Sequence, residues 1–152
     1  MFAIDGSARD ELIAFLARLR DRIVKRRKAT LIDFTETRRF FAEATLLFYA
    51  ELRRNLQLVA GKADITIKPP RNARCTQVLK QIGVYDIVGH VCNVVPHLHD
   101  VIHWKVATGS RVEGEKYEEV LGHFEGRVAE PLLTGLYVGM SEAMTNCHHH
   151  AY

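Results

Sequence analysis

The chain is expected to be an α/β protein with parallel strands, and three observations lead there. Two short apolar runs rich in β-formers, Ala29 to Phe34 and Ile65 to Lys68, are each followed by a longer stretch with helical spacing. Strand, helix, strand, helix in that order over residues 29–88 implies parallel strands joined by helical crossovers. The third observation is size: 152 residues, 47% of them hydrophobic, supply the core of one ordinary domain, or of one domain and a piece of another.

The elements follow in order. Ser7, with Asp10 three residues on, is a variant of the capping box, and Leu12, Leu16, Leu19 and Ile23 repeat on one face, which predicts a helix from about 8 to 27. Ala29 to Phe34 is a buried strand ending near Asp33. Phe40 to Val59 is a second helix, apolar nearly all round in its first half and therefore expected to bury that half, with Gly61 ending it. Ile65 and Ile67 alternate with Thr66 and Lys68 until Pro69-Pro70 stops the strand, because proline cannot continue the ladder. Asn72 can cap the next helix, in which Cys75, Val78, Leu79 and Ile82 face inward, with Gly83 at its end. Val101 to Thr108 reads as another strand, followed by a turn at Gly109-Ser110 and by helices over Glu115 to Phe124 and Pro131 to His150.

Composition narrows the function classes. A net charge of +3 is mild, and the dense basic run Lys25-Arg26-Arg27-Lys28 lacks interleaved aromatics, so it reads as a solvated helix end and no nucleic-acid partner is expected. Cys75, Cys92 and Cys147 are an odd number with no Cys-x-x-Cys spacing, which points away from a disulfide framework and a thiolate zinc site, and towards a reducing, cytoplasmic compartment. Neither a signal peptide nor a membrane span is expected, and hence no membrane partner. Nothing in the chain spells a glycine-rich dinucleotide turn, a Walker sequence or a serine hydrolase order. His97, His99 and His103 lie at spacings that share no helix face and lack an acidic ligand set, so they are not expected to hold a metal. The run His148-His149-His150 points around a helix in different directions. Trp104 and Tyr117 read as core or interface aromatics.

Chemistry is best placed near the C-terminus. Leu133, Leu136, Met140, Met144 and Cys147 form an apolar stripe, which leaves Glu142, Asn146 and His149 together on the polar face, with Glu142 and Asn146 one turn apart. The string Ser141-Glu142-Ala143-Met144-Thr145-Asn146, followed by His150-Ala151-Tyr152, resembles the N-box of the GHKL ATPases, most closely that of anti-sigma-factor serine kinases. The resemblance implies that Glu142 orients or deprotonates a water or hydroxyl near the terminal phosphate, and that Asn146 coordinates magnesium bridging the phosphates of ATP. The same family holds adenine with an Asp-x-Gly-x-Gly element and closes a glycine-rich lid; neither occurs upstream of the N-box here. The expectation is therefore the front portion of a longer protein, with ATP and Mg2+ bound only by a longer form and no cofactor by this chain alone.

Residues 29–88 resemble a STAS-like domain, the small α/β module of anti-sigma-factor antagonists, through Leu31-Ile32-Asp33-Phe34, Ala44-Thr45-Leu46-Leu47 and Val78-Leu79-Lys80-Gln81-Ile82-Gly83-Val84. Such domains often carry a phosphorylatable serine in an Asp-Ser-x-Gly-like turn before the helix. Here the stretch reads Phe41-Ala42-Glu43-Ala44-Thr45, and Thr45 is read as a helix residue. The resulting expectation is a STAS-like α/β domain over 1–100, then a connecting strand and helices over 101–152 ending in the N-box of an incomplete GHKL-type domain. The implied function is regulatory or signalling, through a protein partner or self-association. The alternative is a non-enzymatic α/β interaction module with no nucleotide site.

Overall fold

A computed structural model describes residues 6–102, 104, 106, 122 and 129–150, leaving aside the side chains of 6–8, 143, 144 and 146–150. The chain divides into two compact units, Met1–Trp104 and Lys105–Tyr152.

In the first unit, helix α1 spans Gly6–Arg20 and runs on into a π-helical turn, Asp21–Lys25. It begins one residue ahead of Ser7, so Ser7 lies inside the first turn instead of capping it. The three- and four-residue spacing explains the helix: Leu16, Leu19 and Ile23 are buried on one face. Strand β1 (Thr30–Asp33) pairs in parallel with β2 (Ile65–Lys68), with Thr30 opposite Ile65 and Asp33 opposite Lys68. Both strands alternate buried and exposed residues: this is the expected alternation in Ile65–Lys68, whereas the run from Ala29, expected to be a buried strand, leaves Leu31 and Asp33 exposed because one sheet face alone is covered.

Helix α2 (Ala42–Leu58) makes the crossover between the strands. It packs on α1 and the π-turn, and its Phe48 sits 5.5 Å from Phe34, edge to face, and 6.2 Å from Phe15. Burial of its first half is confined to one face. Thr45, Phe48 and Tyr49 are buried, whereas Leu46 and Leu47 are 55% and 47% exposed. The expectation of a fully buried half is corrected: what packs on α2 is chiefly α1 and the π-turn, and they meet a single stripe of it. Gly61 ends the helix as expected, its N–H donating to the Leu56 carbonyl at 2.9 Å from a left-handed φ of 71° that glycine adopts without a Cβ clash.

Helix α3 (Ala73–Gln81) is capped by Asn72, whose side-chain oxygen accepts from the Cys75 N–H at 3.2 Å. Cys75, Val78, Leu79 and Ile82 are all buried. Gly83, at φ 80°, closes α3 and opens the single-turn helix α4 (Val84–Ile87). Of the strand expected over Val101 to Thr108, Val101 and Ile102 are helical and Trp104 and Val106 are in no strand, while 103, 105, 107 and 108 lie outside the described residues. Helix α5 (His99–Ile102) stands there instead, its Val101 and Ile102 N–H groups both donating to the Leu98 carbonyl. The reason is tertiary. Val101 is fully buried, α5 packs on α3, the Arg74 guanidinium lies 2.8 Å from the Asp100 carboxylate, and Gln81 donates to the Ile102 carbonyl. A short apolar run can satisfy either geometry, and the neighbours choose.

In the second unit, helix α6 (Glu130–His150) covers the expected Pro131 to His150. Of the expected Glu115 to Phe124 helix only Gly122 is described, and it is helical; Gly109-Ser110 and Tyr117 lie outside the described residues.

Candidate functional site

Continuous helical backbone through α6 places Glu142 and Asn146 four residues and roughly 6 Å apart along one face. The stripe behind them is partly covered, with Leu133 and Met140 half-buried and Leu136 48% exposed. Glu142 is exposed to solvent; the side chains of Asn146, Cys147 and His148–His150 lie outside the description. One turn away the Thr145 hydroxyl donates back to the Ser141 carbonyl at 2.8 Å. A carboxylate and a carboxamide offer at most three oxygen ligands, and magnesium takes an octahedral shell of six, so α6 by itself is no magnesium site. Phosphate oxygens and waters have to complete one.

Thr45, expected to be a helix residue, is buried and its hydroxyl donates to the Phe41 carbonyl at 2.7 Å, at the start of α2. It is not presented to a kinase. His97 and His99 are part of a chain segment held by Gln77, whose buried side-chain oxygen accepts from the His97 and Leu98 N–H groups at 2.9 and 3.1 Å. His103 lies outside the described residues, and among the described residues no group of three His, Cys, Asp or Glu side chains comes together. Trp104 is half-buried at the end of the first unit, its N–H on the Val101 carbonyl.

Two arrangements in the first unit are invisible in any single stretch of sequence. At the C-terminal ends of the parallel strands, the Asp33 carboxylate accepts from the Thr35 N–H and hydroxyl and lies 3.3 Å from the Lys68 ammonium. These partners, the Thr35 hydroxyl foremost, hold its carboxyl at about 2. Beside it, Arg71 and Glu36 pair at 2.9 Å. The second arrangement is a groove of about 710 Å3 between the end of α1, the π-turn and β1, walled by Phe15, Leu19 and Leu31 and ringed by Arg18, Arg22, Arg26 and Lys28. Arg26 is 2.7 Å from Asp21, and Arg22 donates twice to the Ala29 carbonyl, at 2.9 and 3.1 Å. Of the basic run at 25–28, read in the sequence as a solvated helix end, Arg26 and Lys28 line this groove. Its partners Arg22 and Arg18, about one and two turns before Arg26, show only on a helix that ends beside a strand.

The interior also holds polar groups with no partner among the described residues: both amide atoms of Asn55, fully buried in α2, and the Tyr85 hydroxyl. Burial pushes the Tyr85 hydroxyl up to about 12, with the nearby Cys92 adding to the shift and the Thr76 hydroxyl opposing it. The Thr76 hydroxyl itself donates to the Pro70 and Asn72 carbonyls, which fits its standing near Tyr85 without bonding it. Burial likewise raises the Cys75 thiol, so it is a packing residue and no nucleophile. Among the described residues no helix is long and apolar enough to cross a membrane. Comparison with family models, with curated proteins and with solved structures finds no match.

Proposed function

We propose that this chain is a regulatory protein acting through a protein partner, its first unit a STAS-like docking module and α6 the N-box portion of a GHKL-type ATP-binding domain, in a cytoplasmic setting. The observation that carries the docking role is the set of large apolar side chains left outside the core of a small α/β unit: Ile13, Leu31, Phe41, Leu46, Leu47 and Leu58, each about half exposed. Supporting the nucleotide role are Glu142 and Asn146, one turn apart on one helix face.

In a form completed by an adenine-holding element, Asn146 would bind magnesium together with the phosphates, and Glu142 would position or take the proton of the attacking group. The test uses calorimetry and turnover on this chain and on a form extended to include an adenine-holding element. The short chain is expected to bind Mg-ATP weakly or not at all. The extended form is expected to bind it, and Glu142→Ala there to lower turnover by about 100-fold or more with little change in affinity. Micromolar binding by the short chain overturns the need for a completing element, and unchanged turnover in the variant overturns the role of Glu142. The docking role is tested separately by light scattering and cross-linking with capture from extract. A strictly monomeric chain with no specific partner overturns it.

A further inference from the structure

We propose that the unpaired edge of β1 is a docking site for an extended acidic segment of a partner protein, which adds as a strand in the basic groove. The inference rests on the partner-binding reading above and names its surface.

The ladder itself shows which groups are free. Thr30 donates to the Asp64 carbonyl and Phe34 to the Lys68 carbonyl, so Thr30, Ile32 and Phe34 turn their backbone groups toward β2. In a parallel pair the intervening residues turn theirs the other way, which leaves the N–H and C=O groups of Leu31 and Asp33 on the far edge. Among the described residues no strand pairs with that edge. The groove runs along it. Leu31, 52% exposed, lies in the groove wall, and the Ala29 carbonyl, next along the same edge, is held by the Arg22 guanidinium. An open edge with aligned donors and acceptors is a template for strand addition.

Charge decides the occupant. Arg18, Arg22, Arg26 and Lys28 ring the groove against one carboxylate, Asp21, already paired with Arg26. The balance there is strongly positive, which repels a basic strand and steers an acidic one. The π-turn adds an independent sign. Arg22 lies within it and Arg26 closes it, donating to the Asp21 carbonyl at 2.9 Å, and such turns recur at functional sites.

The test uses the full chain and a fluorescent peptide of about eight residues alternating Glu and Val, long enough to span β1. Three controls accompany it: a Lys-Val peptide, the Glu-Val peptide with alternate backbone nitrogens methylated, and a single-stranded oligonucleotide of similar charge. The Glu-Val peptide is expected to bind at least about tenfold more tightly than each control, and to slow exchange of the Leu31 and Asp33 amides. Leu31→Pro, which removes only an outward N–H, and the double change Arg18→Glu with Lys28→Glu are each expected to weaken it by about tenfold. Since Leu31→Pro can disturb folding, the methylated peptide on unaltered protein carries the same question. Equal binding of the methylated peptide, preference for the Lys-Val peptide or the oligonucleotide, or no binding overturns the proposal. If the peptide fails while the chain still captures a partner, the edge assignment falls and the docking role stands; if neither occurs, both fall.

Discussion

Asp33 shows how much one residue's surroundings can do at an exposed site. Its carboxylate takes the Thr35 hydroxyl and N–H and faces Lys68, and the carboxyl is held at about 2 against an ordinary 3.8. A lowered carboxyl favours the folded chain above its ordinary value, so this stabilisation is present at neutral pH and is lost as pH falls from about 3.8 towards 2. An NMR titration is expected to find the Asp33 midpoint near 2 and to find it raised in Thr35→Ala, with a smaller rise in Lys68→Met. A Thr35→Ala midpoint unchanged, or a larger effect from Lys68, would refute the ranking of causes. The contact has a structural corollary: Arg71 donates to the Thr35 carbonyl at 3.2 Å, so the loops leaving both strands are tied at this end.

At the scale of elements, the extended stretch from His90 to Leu98 has little regular structure, and Gln77 holds it to α3. Gln77 is buried, and its oxygen meets the His97 and Leu98 N–H groups together. Replacing it with leucine leaves two backbone donors without that acceptor, and the cost is about 1–3 kcal/mol. Gln77→Leu is expected to lower the denaturation midpoint accordingly and to speed exchange of the His97 and Leu98 amides, while the amides of β1 and β2 keep their protection. Loss of protection throughout the unit would show that Gln77 supports the core and not the segment. Exposed pairs between elements, Lys80 with Asp86 and Arg74 with Asp100, each at 2.8 Å, contribute less because water screens them.

For the whole molecule, the question is where one cooperative core ends. The fully buried residues Leu52, Leu79, Val84, Tyr85 and Val101 all belong to the unit that runs to Trp104, with Val101 near its end. A fragment of residues 1–104 is therefore expected to unfold in a single transition by far-UV circular dichroism. A fragment of residues 1–98 lacks α5 and the burial of Val101, and is expected to be less stable by about 2 kcal/mol. Equal stability of the two fragments would show that α5 lies outside the cooperative core.

The sequence alone determined whatever is settled within a few residues. The two strands, the Asn72 cap, the inward face of α3 and the stop at Gly61 were legible because each follows from a short run of β-formers, a side chain's spacing, or a bond to backbone nearby. The shared face of Glu142 and Asn146 was legible for the same reason: a helix alone sets it. Tertiary structure decided the rest. It turned Val101 and Ile102 into a helix through contacts with α3, and left Leu46 and Leu47 outside the core. It brought Gln77 to His97 across 20 residues, and made a basic groove from residues between Phe15 and Ile32. Those outcomes depend on which surfaces meet, and burial, pairing and charge are properties of the meeting.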